Sequence, residues 1–332
     1  MSRPIVIYRL GSLGDTIVAL PCFHAIARVN PQAEKVVLTN FPVNAKAAPL
    51  EGILGGSGLM SRAMAYPVGT RSIAALWALR RELRALGADT LYYLTPARGL
   101  AAAWRDWLFF KLCGFRHIVG APLSTDLQAN RVLDAEGTLE HEARRLVRCL
   151  SAMGPIPIDA PASWDLCLTD QELAKGQACV APLAAERYIA INMGGKVAIN
   201  DWGMDHWLPL LQQITAQHPR LGLLVVGGPE DQARGQEVTA LWQGPLVNAC
   251  GALKPRESAA ALAGARLFIG HDSGPMHLAA AMGVPCIGLF GNNNLPGKWH
   301  PFGSRHVVLR DMRGVRYNTV EKVVQVALEQ LG

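Results

Sequence analysis

The sequence predicts an α/β protein built on parallel sheets. Short apolar runs of strand length alternate along all 332 residues with segments of helical spacing. Most of the apolar runs end in glycine-containing turns, as strand exits do. The clearest unit is LFIGHDSGPMHLAAAMGVPCIGLFG, residues Leu267–Gly291. It reads as strand (Leu267–Ile269), polar turn (Gly270–Pro275), small-residue helix (Met276–Met282) and second strand (Pro285–Phe290), a βαβ unit with a short crossover. Pro275 near its start and Gly283 just past its end suit a helix, whose N-terminal N–H groups form a ready anion site.

Taken in order, Ile5–Tyr8 is a first buried strand, Gly11–Asp15 its turn, and Thr16–Arg28 a helix with Ile17, Leu20, Ile26 and Val29 apolar. Val36–Leu38 is a second strand. Residues 41–70, rich in Gly, Pro and Ala, read as irregular, a loop facing an acceptor. Ile73–Leu86 is an amphipathic helix with Arg80, Arg81 and Arg84 on its polar side, and Thr90–Leu94 a strand with Thr95–Gly99 as its exit. Leu100–Cys113 is helical. Its Trp104, Trp107, Leu108, Phe109, Phe110 and Leu112 stand among Arg98, Arg105, Lys111 and Arg116, which suits a core helix or a membrane-surface patch. His141–Met153 is a further helix. Pro155, Pro157 and Pro161 then interrupt the pattern, and Thr169–Glu172 carries a helix N-cap signature.

The second half runs strand Tyr188–Asn192, loop Met193–Lys196, helix Trp202–Ala216, strand Leu221–Val226 ending in Gly227–Glu230, strand Leu246–Cys250 and helix Glu257–Gly264. The βαβ unit follows, then a strand at Val307–Leu309 and a closing helix at Thr319–Leu331.

Composition narrows the function. Residues 1–160 hold 18 Lys+Arg against 12 Asp+Glu and residues 161–332 hold 14 of each, so the net +6 lies entirely in the first half. That imbalance suggests an anionic partner there, whether phosphorylated glycan, acidic lipid surface or nucleic acid, or else a solvated basic surface. The seven cysteines form no C-x-x-C pair, no signal-peptide pattern opens the chain, and no apolar run approaches a membrane span, so reduced thiols in a cytoplasm are expected. His271 and His277 lack a third ligand at metal-site spacing and no Asp-x-Asp occurs, so no metal is expected. Asp272-Ser273-Gly274 lacks the G-x-S-x-G elbow of a serine nucleophile. The first turn is G-x-x-G-D, not the G-x-G-x-x-G of a dinucleotide site, which argues against a nicotinamide dehydrogenase. Asp15 sits where a helix begins, as a cap or as a reactive carboxylate, and that end suits a negative charge.

Two stretches carry a resemblance: Arg9–Pro21, RLGSLGDTIVALP, and Asp272–Gly291, DSGPMHLAAAMGVPCIGLFG. In content, order and separation they resemble glycosyltransferase family 9, the heptosyltransferase-like enzymes. The resemblance implies a GT-B arrangement of two Rossmann-like domains facing a cleft, residues 1–160 binding the acceptor and 161–332 the nucleotide-sugar. It implies an inverting, metal-independent transfer of a heptose-like sugar to lipopolysaccharide or a related envelope glycan. No cofactor is implied beyond the nucleotide-sugar itself, with ADP-heptose the expected donor. Asp15 matches the catalytic base. Asp272, Ser273 and Gly274 match the diphosphate and sugar loop, with His277 following, Glu230 the ribose-binding acid, and Leu253 the lining of the base. Gly14, Arg62 and Arg98 are the expected acceptor contacts. Where family members often carry a lysine two places before Trp202, this chain has Asn200, and Lys196 beside Gly194 and Gly195 is the cation expected on phosphate. Asn292-Asn293 replace the commoner Pro-Thr. The expected protein is a cytoplasmic monomer on the inner face of the inner membrane with an anionic glycolipid partner and no nucleic acid. The rival expectation is a nucleotide-sugar-binding protein that has lost turnover through the change to Asn200.

Overall fold

The computed structural model describes residues 2–40, 49–70, 72–183, 187–195 and 197–332. The chain forms two compact units, Met1–Cys167 and Leu168–Gly332. No described helix is long and apolar enough to cross a membrane.

In the first unit the elements run β1 (Ile5–Tyr8), α1 (Leu13–Val18), α2 (Leu20–Val29), β2 (Lys35–Thr39), α3 (Glu51–Leu54), β3 (Arg62–Ala65), α4 (Ile73–Ala85), β4 (Thr90–Tyr93), α5 (Leu100–Leu112), β5 (His117–Val119), α6 (Thr125–Gln128) and α7 (Glu142–Cys149). Its five strands are all parallel, in the order β3-β2-β1-β4-β5. The order reverses between β1 and β4, and the crevice at the carboxyl ends of those two strands is where such sheets hold ligands. Every residue of β1 and β2 is buried, so their near-continuous apolar runs were readable in sequence.

Several features of this unit differ from the sequence reading, the short helices α3 and α6 among them. The helix expected over Thr16–Arg28 is broken between α1 and α2. Pro21 stands at the second position of α2 and has no N–H to bond back into α1. Within 41–70, read as irregular, β3 pairs with β2 in the register Val36↔Arg62. Its sequence RAMA is exposed at both ends and only half-buried between them, on an outer strand, so no apolar run marks it. Edge strand β5 escaped notice for the same reason, with only three residues. Residues 41–48 of the expected acceptor loop lie outside the described residues, as does Arg71.

In the second unit the elements are α8 (Asp170–Val180), β6 (Tyr188–Asn192), α9 (Met204–Gln217), β7 (Gly222–Val225), α10 (Gln232–Thr239), β8 (Leu246–Asn248), α11 (Pro255–Leu262), β9 (Leu267–His271), α12 (Gly274–Ala281), β10 (Cys286–Phe290), β11 (Val307–Arg310) and α13 (Val320–Leu331). Six parallel strands lie in the order β11-β10-β9-β6-β7-β8, with the reversal between β6 and β9. Trp202 and Trp207, both fully buried and in edge-to-face contact at 5.2 Å, anchor the core on which α9 and α13 pack. α10, QARGQEVT, was missed because only Gly235 and Val238 of it are buried.

Candidate active site

At the exit end of the first sheet, the turn after β1 folds Asp15 back onto its own start. Gly11 has φ +136°, and a Cβ there would stand 2.6 Å from the Asp15 Cβ, so only glycine fits. The Asp15 carboxylate accepts bonds from the Ser12 N–H (2.7 Å) and hydroxyl (2.9 Å), both to Oδ2. Asp15 is therefore a helix cap in this structure, fixed through one oxygen and half-buried. Gly14 lies beside it in α1, and the Gly11 N–H donates to the Asn40 side chain at the exit of β2 (2.9 Å).

Beneath the turn lies Arg9, fully buried, whose guanidinium donates to the Leu94 and Asp15 carbonyls. Burial pulls its pKa below the usual arginine range despite the nearby carboxylates of Asp15 and Glu142. Arg9 thus ties the exits of β1 and β4 to the first turn of α1. Near it, Arg145 and Glu142, both fully buried, form an ion pair (2.5 Å), and Arg145 also donates to the Thr95 carbonyl (3.3 Å). A buried pair of this kind is costly to break from one side and so holds the β4 exit in one place.

Arg98 stands at that exit, but it is not an unengaged cation. It donates to the Tyr8 hydroxyl (3.1 Å), the Tyr93 hydroxyl (3.2 Å) and the Asp106 carboxylate, with its side chain 30% exposed. Burial opposes its charge, but these partners outweigh it and raise its pKa. Arg62 is not brought to the same end. It opens β3 at the amino edge of the sheet, a strand's length from the exits, and pairs there with Glu34 at 2.7 Å.

In the second unit the exit loops of β6, β7 and β9 converge. The Asn192 amide donates to the Val226 carbonyl (2.9 Å) and accepts from the Ser273 hydroxyl (3.0 Å). Ser273 is the N-cap of α12, yet its side chain caps no helical N–H. The first turn of that helix thus has no side-chain cap; Gly274 opens it with an N–H and Pro275, second, brings no N–H to satisfy, an arrangement that suits phosphate. Around it the loops are backbone-lined. A Cβ on Gly194 would lie 2.1 Å from the Asp231 carboxylate, and one on Gly227 at 2.5 Å, while Asp231 accepts the Gly228 N–H at 3.0 Å. Gly195 is exposed beside them. Glu230 is exposed next to Asp231, and the Gly251 N–H donates to the Gly227 carbonyl (3.0 Å), which sets the turn carrying Leu253 beside the Glu230 loop.

His271, fully buried at the end of β9, accepts the Trp202 N–H through Nε2 (3.1 Å), which places its proton on Nδ1. Burial pushes its pKa down to about 4, so it is a neutral structural ring. His277 is buried on α12. Asn200, where the family's lysine was expected, is 8% exposed in a short turn. Lys196 lies outside the described residues. Two arginines at this end were missed in the sequence. Arg234, on the missed α10, donates to the Met193 carbonyl (3.0 Å) and to Asp201 (2.6 Å), bracing the Gly194 loop. Arg310, the last residue of β11, donates to the carbonyls of Gly291 (2.8 Å) and Asn294, and burial lowers its pKa although Asp272 is close. The Asn294 amide in turn donates to Asp272. Nothing local marks either arginine, because each acts on loops distant in sequence.

The site residues therefore collect at the two points where strand order reverses. Asp15, Gly14 and Arg98 stand at one, and Gly194, Gly195, Asp272, Ser273 and Gly274 at the other, with Glu230 and Leu253 on the adjoining exits of β7 and β8. The first can hold a hydroxyl near a fixed carboxylate, and the second an anion against glycine backbone.

Comparison with known proteins bears on the same residues. The model of glycosyltransferase family 9 (heptosyltransferase) matches residues 76–325, a stretch that leaves out the Arg9–Pro21 segment. No curated protein matches the chain. Among solved structures, a family 9 glycosyl transferase from Veillonella parvula DSM 2008 is similar at a TM-score of 0.73 and 19% identity, covering 99% of this chain and 97% of that one. E. coli ADP-heptose lps heptosyltransferase II is similar at 0.70 and 18%, covering 99% and 98%. E. coli heptosyltransferase WaaC with ADP-2-deoxy-2-fluoro heptose is similar at 0.66 and 17%, covering 98% and 99%. At these identities the likeness is one of fold, and it agrees with the expected pair of Rossmann-like units of the GT-B class.

Proposed function

The chain belongs to glycosyltransferase family 9, and from that premise we propose that it moves a heptose-like sugar from a nucleotide-sugar to a lipopolysaccharide or related envelope glycan, with inversion at the anomeric carbon. The second unit binds the donor. Its diphosphate lies against the N-terminus of α12 at Ser273 and Gly274, with Lys196, Gly194 and Gly195 completing the cradle. Glu230 accepts from the ribose hydroxyls, Leu253 lines the base, and Asp272 and His277 face the sugar. The first unit presents the acceptor beside Gly14 and Arg98. Asp15 takes the proton of the acceptor hydroxyl as its oxygen bonds to the anomeric carbon. The bond from that carbon to the diphosphate oxygen breaks, and the nucleoside diphosphate leaves with the electron pair. Donors on α12 and cationic side chains stabilise the leaving group without a metal. ADP-heptose is the proposed donor, in line with the ligands named for the similar heptosyltransferases. The protein acts as a monomer on the cytoplasmic face of the inner membrane, where an anionic glycolipid is available and nucleic acid has no part.

The observation that carries this reading is the placement of Asp15 and of the uncapped α12 start each at a reversal of strand order. The test is ADP release from ADP-heptose with and without a lipopolysaccharide-core acceptor, repeated with GDP-, UDP- and dTDP-sugars. Release that needs the acceptor and disappears in Asp15→Asn supports the transferase. A second reading, donor binding without turnover, is favoured by Asn200 standing where the family often has lysine. Tight ADP-heptose binding with no acceptor-dependent release would establish that reading in its place.

A further inference from the structure

The outer surface of the first unit has a feature that neither its core nor the active site uses. α4 and α5 pack on one face of the sheet, burying Leu79, Leu83 and Phe110 against alternate residues of the strands. Their opposite sides are also apolar. Ile73 is 71% and Trp77 59% exposed on α4, and Trp104 51%, Leu108 55% and Leu112 59% exposed on α5. The four-residue spacings 73/77 and 104/108/112 make each set one helical stripe. Arg80 joins the stripes, donating to the Leu112 carbonyl (2.9 Å) while its guanidinium covers the Trp77 ring at 4.9 Å. Lys111 lies over Trp107 at 5.5 Å, and Arg81 and Arg84 are exposed on α4. The acids on these two helices are Glu82 and Asp106, and Asp106 is 2% exposed and bonded to Arg98 and Arg105.

A helix apolar on its outer as well as its inner side ordinarily lies inside a protein. A contiguous exposed apolar patch marks an interaction surface. Tryptophan and leucine interleaved with arginine and lysine, almost without acid, match the chemistry of an anionic lipid interface, rings at the headgroup level and cations on the phosphates. A second copy of this chain is the poorer partner, because a symmetric pairing would set the same cations against each other.

We propose that the α4–α5 face docks on an anionic phospholipid bilayer, with Trp77, Trp104 and Leu108 entering the acyl boundary and Arg80, Arg81, Arg84 and Lys111 on headgroup phosphates. The parallel sheet starts both helices at the strand exits. Ile73, Trp77 and Trp104 are thus in their early turns, nearest the end that carries Asp15 and Arg98. Docking there would present that end to a lipid-linked acceptor, a purpose that rests on the transferase reading, whereas the docking itself rests on the surface alone.

The test is co-sedimentation of the full chain, without donor or acceptor, with vesicles of phosphatidylcholine and with vesicles containing roughly one-third phosphatidylglycerol. Binding is expected to the anionic vesicles and to weaken with salt. The triple variant Trp77→Ser/Trp104→Ser/Leu108→Ser, at exposed positions, should lower partitioning at least about tenfold. Arg81→Ala/Arg84→Ala should lower it about 25-fold at low salt, roughly fivefold for each lost cation. Both variants should keep parental turnover on a delipidated, soluble acceptor. Equal binding to both vesicle types, equal partitioning of parent and variants, or a parental dimer that the serine variant converts to monomer with no vesicle binding would each overturn the proposal. A chain that binds vesicles but transfers no sugar sinks the transferase reading alone. One that transfers to soluble acceptor and ignores vesicles sinks the docking alone.

Discussion

The two units have the same kind of doubly wound sheet and the same kind of candidate site, yet they build it from different materials. In the first, the site is assembled from side chains. Asp15 is capped on Ser12, Arg9 is buried under it, Arg98 is held by two tyrosines and Asp106, and the Glu142–Arg145 pair braces the β4 exit. In the second, it is assembled from backbone. Gly194 and Gly227 leave room only for the Asp231 carboxylate, and the start of α12 carries no side-chain cap. Backbone N–H groups suit a ligand that is constant in chemistry, such as a diphosphate. Buried and buttressed side chains suit a step that needs one group held in one orientation. The charge asymmetry follows the same division, with the whole net excess in the first 160 residues.

That division of labour breaks or sharpens at particular residues. Asp15→Asn keeps an acceptor oxygen for Ser12, so the fold and donor binding should survive while turnover falls about a hundredfold or more, the scale of a lost general base. Steady-state rates together with calorimetric ADP binding check this. A loss of ADP affinity in the variant would show that the two sites are not separate in function. Next in size is the response of the second unit to acid. The folded pKa of His271 is about 4, below the ordinary value of 6.5, so its contribution to stability is complete above about pH 6.5 and is lost as pH falls toward 4. The loss approaches about 3 kcal/mol. Denaturant unfolding at neutral and mildly acid pH should show a smaller pH dependence in His271→Asn than in the parent; equal slopes would remove this ring from the acid response.

Gly227→Ala asks whether the donor site depends on its glycines. The added Cβ must displace Asp231, which should cost on the order of 1–3 kcal/mol of stability and weaken nucleotide binding, with turnover at saturating donor little changed. Unaltered ADP affinity would deny the backbone its assigned part. The smallest effects separate two arginines of the basic half. Arg98→Ala should raise the Michaelis constant for acceptor severalfold with donor affinity unchanged. Arg62→Ala should leave both constants alone, since the exposed pair with Glu34 is worth at most about 1 kcal/mol. Equal responses from the two would place the acceptor elsewhere on this surface.

Most of the strands and the G-x-x-G-D turn were legible in the sequence because the signals that make them are local. β1, β2, β4, β6, β9 and β10 are buried on both faces, so their apolar runs survive as runs, and Gly, Pro and capping residues mark their ends. Order and pairing of motifs, and hence the family, were legible for the same reason. The tertiary structure decided the rest, because it depends on partners distant in the chain. β3 and β5 are strands only because an edge was there to pair with. Arg98 reads as a loose cation until Asp106 and Tyr8 meet it, and Arg62 as an equal candidate until its strand places it at the opposite edge. Arg310 meets the Asp272 charge and bonds the Asn294 carbonyl while the Asn294 amide donates to Asp272, a contact between the ends of β9, β10 and β11 that no spacing announces. The α5 sequence, apolar around most of its circumference, suited a core helix and a surface patch alike. Folding buries one side of it and leaves the other exposed, since one sheet face can cover only one side of a helix, and Trp104 and Leu108 lie on the side left outside.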